Sequence, residues 1–462
     1  MSDAIRRVWH ESGCYRVMLI IAVVYSVVRL AAHAVYLATL LHPQALPGWV
    51  DASEPMIPVD LQVYVDAAHR FTHRQPLYIE GDIGSLEELY QYAPSFALAF
   101  APSLNLSSVA VTVVHTLAHV VAYPLVYMVW SLIFRALELH RVEKTLARTL
   151  PVWLVYSPYW SDLGYLNVYI FMALLATLLI YAIVAERPGL AAVWLVIILL
   201  IKPQWGFAVG VPLLSRRWSS LGRMLGLTAV LYLTVVAITM VIGGPAYVWE
   251  QEIAYFRFLA RLSQDFPWRQ PGHPFLGYNH SIRQIIYFVL GVNACTRGIA
   301  TVVKMALLLP AGLVAGRWFL RLRPALSIED PSWHKGSSLL DLAFLLYLAA
   351  FIWLDMVWEL TLGIAVFTYL MAVAKQRRVR ALLTTVFVPY ALVDLWQLAS
   401  FAIFGSDVMA PGPYFLTDPS IYAPMVMIVI LVFYGILIGR LHWALQYDQD
   451  GRFRIPRRSA CC

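Results

Sequence analysis

The sequence predicts an all-α polytopic membrane protein, and three observations carry that reading. Its 462 residues are 60% hydrophobic and only 13% charged, with a mean hydropathy of +0.68, far from the composition of a water-soluble domain. The apolar residues lie in long runs of about the 20 residues that cross a bilayer. The chain also holds 16 tryptophans and 26 tyrosines, and such amphipathic rings collect at membrane interfaces. The net charge of +7 does not indicate nucleic acid, because Lys and Arg are spread over short connections rather than gathered in one basic tract. The four cysteines, Cys14, Cys295, Cys461 and Cys462, lack metal-ligand spacing. The terminal pair also lacks the residue order of a prenylation box.

Taken in order, the first apolar run, 17–41, is too long for a signal-peptide core and has no small-residue cleavage site, so it reads as a retained helix. Further spans are expected at 107–134, 149–161, 165–185, 189–201, 204–214, 221–243, 296–319, 338–355, 359–374, 381–403 and 421–442. That makes about twelve. The runs 149–161 and 204–214 are short, which predicts helices broken at one membrane face. Basic residues favour cytoplasmic loops. Arg6, Arg7 and Arg16, then Arg135, Arg141, Lys144 and Arg148, then Arg216, Arg217 and Arg223, and later Lys375 to Arg380 and Arg452 to Arg458 fall in alternate connections on one side. Both termini are therefore expected in the cytoplasm of a cell with this protein in its plasma membrane. The other side receives the intervals 42–94 and 244–283 and the Asp355/Glu359 corner.

The interval 42–94 is polar and acidic between two spans, so it lies in water or lines a hydrated cavity. Pro43, Pro47, Pro55 and Pro58 lead to Asp60, after which Leu61, Tyr64, Val65, Ala68 and Phe71 follow a helical period opposite Gln62, Asp66, His69 and Arg70. This predicts an interfacial helix with Asp60 at or near its N-cap, where Asp side chains accept orphan N–H groups. In 244–283, Tyr247 to Leu262 predicts an amphipathic helix bearing Arg257 and Arg261. A proline-rich stretch with Trp268 follows, and a second helix begins near Asn279-His280-Ser281-Ile282-Arg283.

Ionisable residues at membrane depth are costly without a partner. Lys202 closes one apolar run and precedes Pro203; it either snorkels to lipid phosphates or serves a site. Arg29 and His33 lie one turn apart in the first span and face either a carboxylate such as Asp394 or a hydrated groove. Asp162, Asn167, Asp355 and Glu359 fall near the outer surface, as solvated helix ends or as the rim of a cavity. His69 and His73 have the i, i+4 spacing of a metal pair but no third ligand. There is no Walker loop, GxGxxG, HExxH or nucleophile elbow.

Four places carry a family resemblance. Asp60, Tyr64, Ala67-Ala68, Pro76-Leu77-Tyr78, Tyr92-Ala93-Pro94 and Pro102 form the first. Gly164-Tyr165-Leu166-Asn167, Lys202-Pro203-Gln204 and Asn279-His280-Ser281-Ile282 form the others. In this order they resemble the GT-C superfamily of membrane glycosyltransferases, most closely glycosyltransferase family 87, the polyprenyl-phosphate-mannose-dependent mannosyltransferase-like proteins. Tyr165 and His280 stand where the family has glutamine, and the Trp358-Glu359 corner stands where it tends to carry a late histidine.

The resemblance implies one GT-C transmembrane domain over 1–462, with interfacial helices in its first outer loop. It implies transfer of a sugar, mannose first among candidates, from a polyprenyl monophosphate to a glycolipid or cell-envelope glycan outside the cytoplasm, with inversion. One general base suffices for such a step, and Asp60 is expected to be that base. Cations must stabilise the leaving phosphate: Lys202, His280 and Arg283 first, then Arg257 and Arg261. Tyr64, Asn167, Asn279, Trp268 and Glu359 are expected to line the cavity or meet the acceptor. No metal or other cofactor is expected, and the partners are the two substrates and membrane lipids around a monomer. A multipass transporter or lipid flippase is the alternative, and it would need a polar path across the whole membrane; a non-catalytic glycolipid-binding scaffold would keep the fold without depending on Asp60.

Overall fold

Backbone without access to water must satisfy its N–H and C=O groups internally, and every regular element among the described residues is helical. The structure is a computed structural model that describes residues 2–42, 56–79, 90–262, 279–321, 332–355, 360–404 and 419–450. An amphipathic α1 (Ser2–Glu11) leads into α2 (Gly13–Leu41), which is capped by Ser12 accepting from Tyr15 N at 3.2 Å. The short α3 (Val59–Thr72) and α4 (Pro94–Phe100) follow, then α5 (Ser108–Ala136), α6 (His140–Leu154), α7 (Ser157–Tyr165), α8 (Tyr169–Val184) and α9 (Pro188–Ile201). A 3-10 segment, Pro203–Val209, joins α9 to α10 (Gly210–Leu214). Next come α11 (Trp218–Gly243), α12 (Pro245–Leu262), α13 (Ile282–Leu290), α14 (Ala294–Arg321) and α15 (Ser332–Trp353). The chain closes with α16 (Gly363–Val373), α17 (Arg377–Ala391), α18 (Val393–Phe404) and α19 (Pro419–Asp450).

Five of these stretches are long and apolar enough to cross a membrane: α2, α5, α11, most of α14, and Ala423–Leu445 within α19. Shorter apolar helices are α8, α9, Ser337–Trp353 and α16. About twelve apolar runs are expected, 149–161 and 204–214 among them as short, broken helices, and proline divides several of the runs, since it lacks an N–H and clashes with the preceding turn. The run 149–161 is divided between α6 and α7, with Pro158 in the first turn of α7. The run 204–214 is mostly 3-10 after Pro203, and 381–403 splits at Leu392, just after Pro389.

The outward faces are apolar. Val17, Ile20, Ile21, Val24 and Val27 of α2 and Val230, Leu233 and Val241 of α11 are all exposed, a surface suited to lipid and a liability in water. Inside, one continuous cluster of buried apolar side chains runs from Ala22 to Leu445, with Val8, Tyr15 and Ala147 as a satellite beneath α1.

Two buried ion pairs tie the helices across this interior. Arg29 Nε lies 3.0 Å from Asp394 Oδ2, and Tyr25 also donates to that carboxylate, which realises the first of the two alternatives for Arg29. The second was not anticipated. Arg440 of α19 grips Asp341 of α15 bidentately at 2.9 and 3.0 Å, and Tyr369 Oη donates to the same carboxylate at 2.9 Å.

Candidate active site

The site begins with α3. Pro58 is its N-cap, without a side-chain cap bond, and Asp60 stands inside the first turn. The expected capping role of Asp60 is therefore not observed. The chain's own side chains hold the helix down: Leu61, Val63, Tyr64, Ala67, Ala68 and Phe71 are all buried. The two alanines are wholly inaccessible, and only side chains that small let α3 lie so closely on its neighbours. Val65 is half-buried, but Arg70, expected on the wet face, is only 8% exposed. Asp60 itself is half-buried.

Tyr64 links α3 to the rest of the site. Its hydroxyl lies 3.2 Å from Tyr92 Oη and donates to Asn167 Oδ1 at 3.3 Å, and its ring meets those of Tyr92 and Phe96 edge-on. The Pro76-Leu77-Tyr78 segment is anchored by Leu77 N donating to Gln251 Oε1 at 2.9 Å and by Tyr78 Oη donating to Tyr92 O at 2.6 Å. Ala93 N donates to Leu200 O at 3.2 Å, which ties the start of α4 to the last turn of α9.

The α7–α8 turn brings the second acid. Asp162 is completely buried, not a solvated helix end, and accepts from Tyr169 N at 3.2 Å and Ile170 N at 2.8 Å. It thus caps α8 from the preceding helix, satisfying orphan N–H groups of its first turn. Leu166 turns the chain with φ 53°, a left-handed conformation costly for a residue with a Cβ. Two histidines of α5 hold the carbonyls of this turn: His115 Nε2 is 3.1 Å from Leu166 O, and His119 Nε2 is 2.5 Å from Asn167 O. His119 Nε2 also lies 3.6 Å from Asp162 Oδ2. So braced, Asn167 spends its Oδ1 on Val168 N at 2.6 Å and on Tyr64, and its amide lies close enough to Asp60 to favour the ionised carboxylate. Neither histidine stands out in the sequence, since each sits alone among apolar residues of a spanning helix. Their i, i+4 spacing was the only available signal.

Lys202 supplies the cation. It occupies the break between α9 and the 3-10 segment with extended backbone, φ −141°, and is 5% exposed, so it does not snorkel. Its ammonium lies 4.5 Å from the centroid of the Tyr169 ring and 5.1 Å from that of Tyr92, and donates to Tyr169 Oη at 3.4 Å. Such faces stabilise a desolvated cation.

Asp60, Asp162 and Lys202 all sit outside the spanning runs, and each is perturbed. Burial pushes the Asp60 carboxyl up to about 6, against the opposing pull of Lys202 and Asn167. Burial likewise raises Asp162 well above the carboxylate range. It brings Lys202 down to about 8, less far than it would without Asp60 and Asp162 nearby. At neutral pH the result is an ionised, half-accessible base beside a charged lysine, a combination suited to proton abstraction and to stabilising a leaving anion.

The Asn279-His280-Ser281 motif forms a second group. Ser281 caps α13 by accepting from Gln284 N at 3.2 Å. Asn279 Oδ1 accepts from Ser281 N at 3.0 Å, and its Nδ2 donates to Asp355 O at 2.7 Å. The Asp355 carboxylate pairs with Arg283 at 2.8 Å and with Lys304. Arg283 therefore reaches any phosphate with a counter-charge attached, while His280 is buried beside it. Lys304, which sequence reasoning missed, also donates to Trp353 O at 2.8 Å, closing the C-terminus of α15. Arg257 is exposed on α12 and lines a groove with Pro76 and Tyr78. Arg261 lies in the last turn of α12, and Trp268 and Glu359 fall outside the described residues. His69 and His73 stack on each other with centroids 4.1 Å apart.

Fold and site together define a helical membrane protein with an acid in the first turn of α3, an amide between α7 and α8 and a lysine between α9 and the 3-10 segment. The model of glycosyltransferase family 87 matches residues 90–329, more than half of the sequence, and the chain belongs to that family. The match includes Tyr92, Asn167, Lys202 and Asn279; Asp60 precedes it. No curated protein and no solved structure matches the chain.

Proposed function

We propose that this glycosyltransferase moves a sugar, mannose being the first candidate, from a polyprenyl monophosphate to a glycolipid or cell-envelope glycan at the extracytoplasmic face, with inversion. The convergence of Asp60, Asn167 and Lys202 supports this reading most directly. Asp60 takes the proton of the acceptor hydroxyl as that oxygen attacks the anomeric carbon, and the bond to phosphate breaks on the opposite face. Asn167 orients the carboxylate, and Lys202, held by Tyr92 and Tyr169, offsets the charge that develops on the leaving phosphate. His280 and the Arg283–Lys304–Asp355 group are further candidates for the phosphate. The charge distribution along the chain supports the orientation, with both termini cytoplasmic in the plasma membrane, and a monomer needing no metal or cofactor accounts for the chemistry.

The test is incubation of purified protein with radiolabelled polyprenyl-phosphate sugars and a membrane lipid extract. Label should pass to an acceptor with wild-type protein and not with Asp60→Asn. Near-normal turnover by the mutant would remove Asp60 from the mechanism, and no transfer with any donor would favour the transporter reading.

A further inference from the structure

Asp60 occupies the first turn of α3, and the other end of that helix opens on a groove. Two cavities, of about 610 and 350 Å³, adjoin at Pro76. The larger is lined by Asp66, His69, Arg70 and Gln75. The smaller is lined by Tyr78, Trp249, Glu250 and Arg257. Arg70 is 8% exposed, and its Nε and Nη2 have no hydrogen-bond acceptor among the described residues. A guanidinium so placed forfeits hydration without recovering it from the described residues, and an anionic ligand would supply the acceptors. Asp66, one turn before it, turns one carboxylate oxygen to Gln62 Nε2 at 2.6 Å.

The chemistry of the remaining walls narrows the ligand. Trp249 is 60% exposed, offering a flat ring face to a sugar. Tyr78 is fixed by stacking on Tyr255 and Phe258, with centroids 5.9 and 5.8 Å away. Asp66, Glu250 and Gln75 accept or donate to hydroxyls, while the planar fork of Arg70 matches a phosphate or carboxylate. Ten residues separate Asp60 from Arg70 within one helix, about 15 Å at 1.5 Å per residue.

We propose that the groove binds the head group of an anionic acceptor, with its phosphate or carboxylate on Arg70 and neighbouring sugars on Trp249. This rests on the transferase reading and adds to it the acceptor's charge and its path to Asp60. Binding of glucose 6-phosphate, glucuronate and glucose to the full-length protein in nanodiscs, with no donor present, tests it separately from catalysis. At least one of the two anionic sugars should bind about ten-fold or more tightly than glucose, the scale of one charge-assisted bond, and which of them does so identifies the anion. Arg70→Gln should abolish that preference, and Arg70→Lys should retain part of it. Arg257→Gln, an exposed change on another helix, should weaken it several-fold without altering the thermal unfolding midpoint. Equal binding of all three sugars, or an undiminished preference in both Gln variants, would overturn the inference even if wild-type transfer were demonstrated.

Discussion

The molecule holds charge in two contrasting ways. In the interior, Arg29 with Asp394 and Arg440 with Asp341 are closed pairs, each a carboxylate receiving a guanidinium and a tyrosine hydroxyl. Around α3, Asp60 and Asp162 both feel the charge of one lysine, Lys202, and Asp60 keeps part of its surface open. Closed pairs make helix positions specific and leave little capacity for a reactant. An incompletely neutralised group retains reactivity because the structure has not satisfied it. The difference separates architecture from chemistry within one chain that is 13% charged.

Substitutions on the two sides should therefore fail differently. The largest effect is expected for Asp60→Asn, a loss of about 10² to 10⁴ in kcat, the usual worth of a general base, with donor affinity unchanged in an equilibrium binding assay. Asp394→Ala strands Arg29, and such an unpaired buried charge costs about 3–5 kcal/mol. Its signature is a lower thermal unfolding midpoint, with turnover per folded molecule close to wild type. Should Asp394→Ala abolish turnover in fully folded protein, the division into architecture and chemistry would collapse. Lys202→Ala should lie between them, with donor affinity about ten-fold or more weaker, the scale of a charge-assisted hydrogen bond, and a normal unfolding midpoint.

The sequence revealed most of this contrast where residues carry their meaning locally. Asp60, Asn167 and Lys202 sit beside prolines, glycines or polarity changes that mark breaks in apolar runs, and Arg29 and Asp394 were matched because charges within spans require partners. What it could not reveal depends on which helices meet. Asp162 looks like any polar residue between spans until α7 is seen folding beneath α8. Arg70 of α3 has the periodicity of a wet face, yet its side chain is buried. His115 and His119 acquire a role only because the α7–α8 turn lies against α5. Among the described residues five helices are long and apolar enough to cross a membrane, and hydropathy registers the remaining apolar runs without fixing every point where proline divides them.

The smallest expected effect tests the comparison most directly. With Asp60 at about 6 and Lys202 at about 8, kcat/KM should rise with pH as the base ionises and fall again as the ammonium loses its proton. The Lys202 charge favours ionised Asp60, so Lys202→Gln must raise the carboxyl pKa. The acid limb should then move to higher pH by about one unit, the lower end of what an adjacent opposite charge contributes. Asp341→Asn alters only a closed pair and should leave the limb in place. If Lys202→Gln leaves it unmoved as well, Asp60 and Lys202 are not electrostatically coupled during turnover.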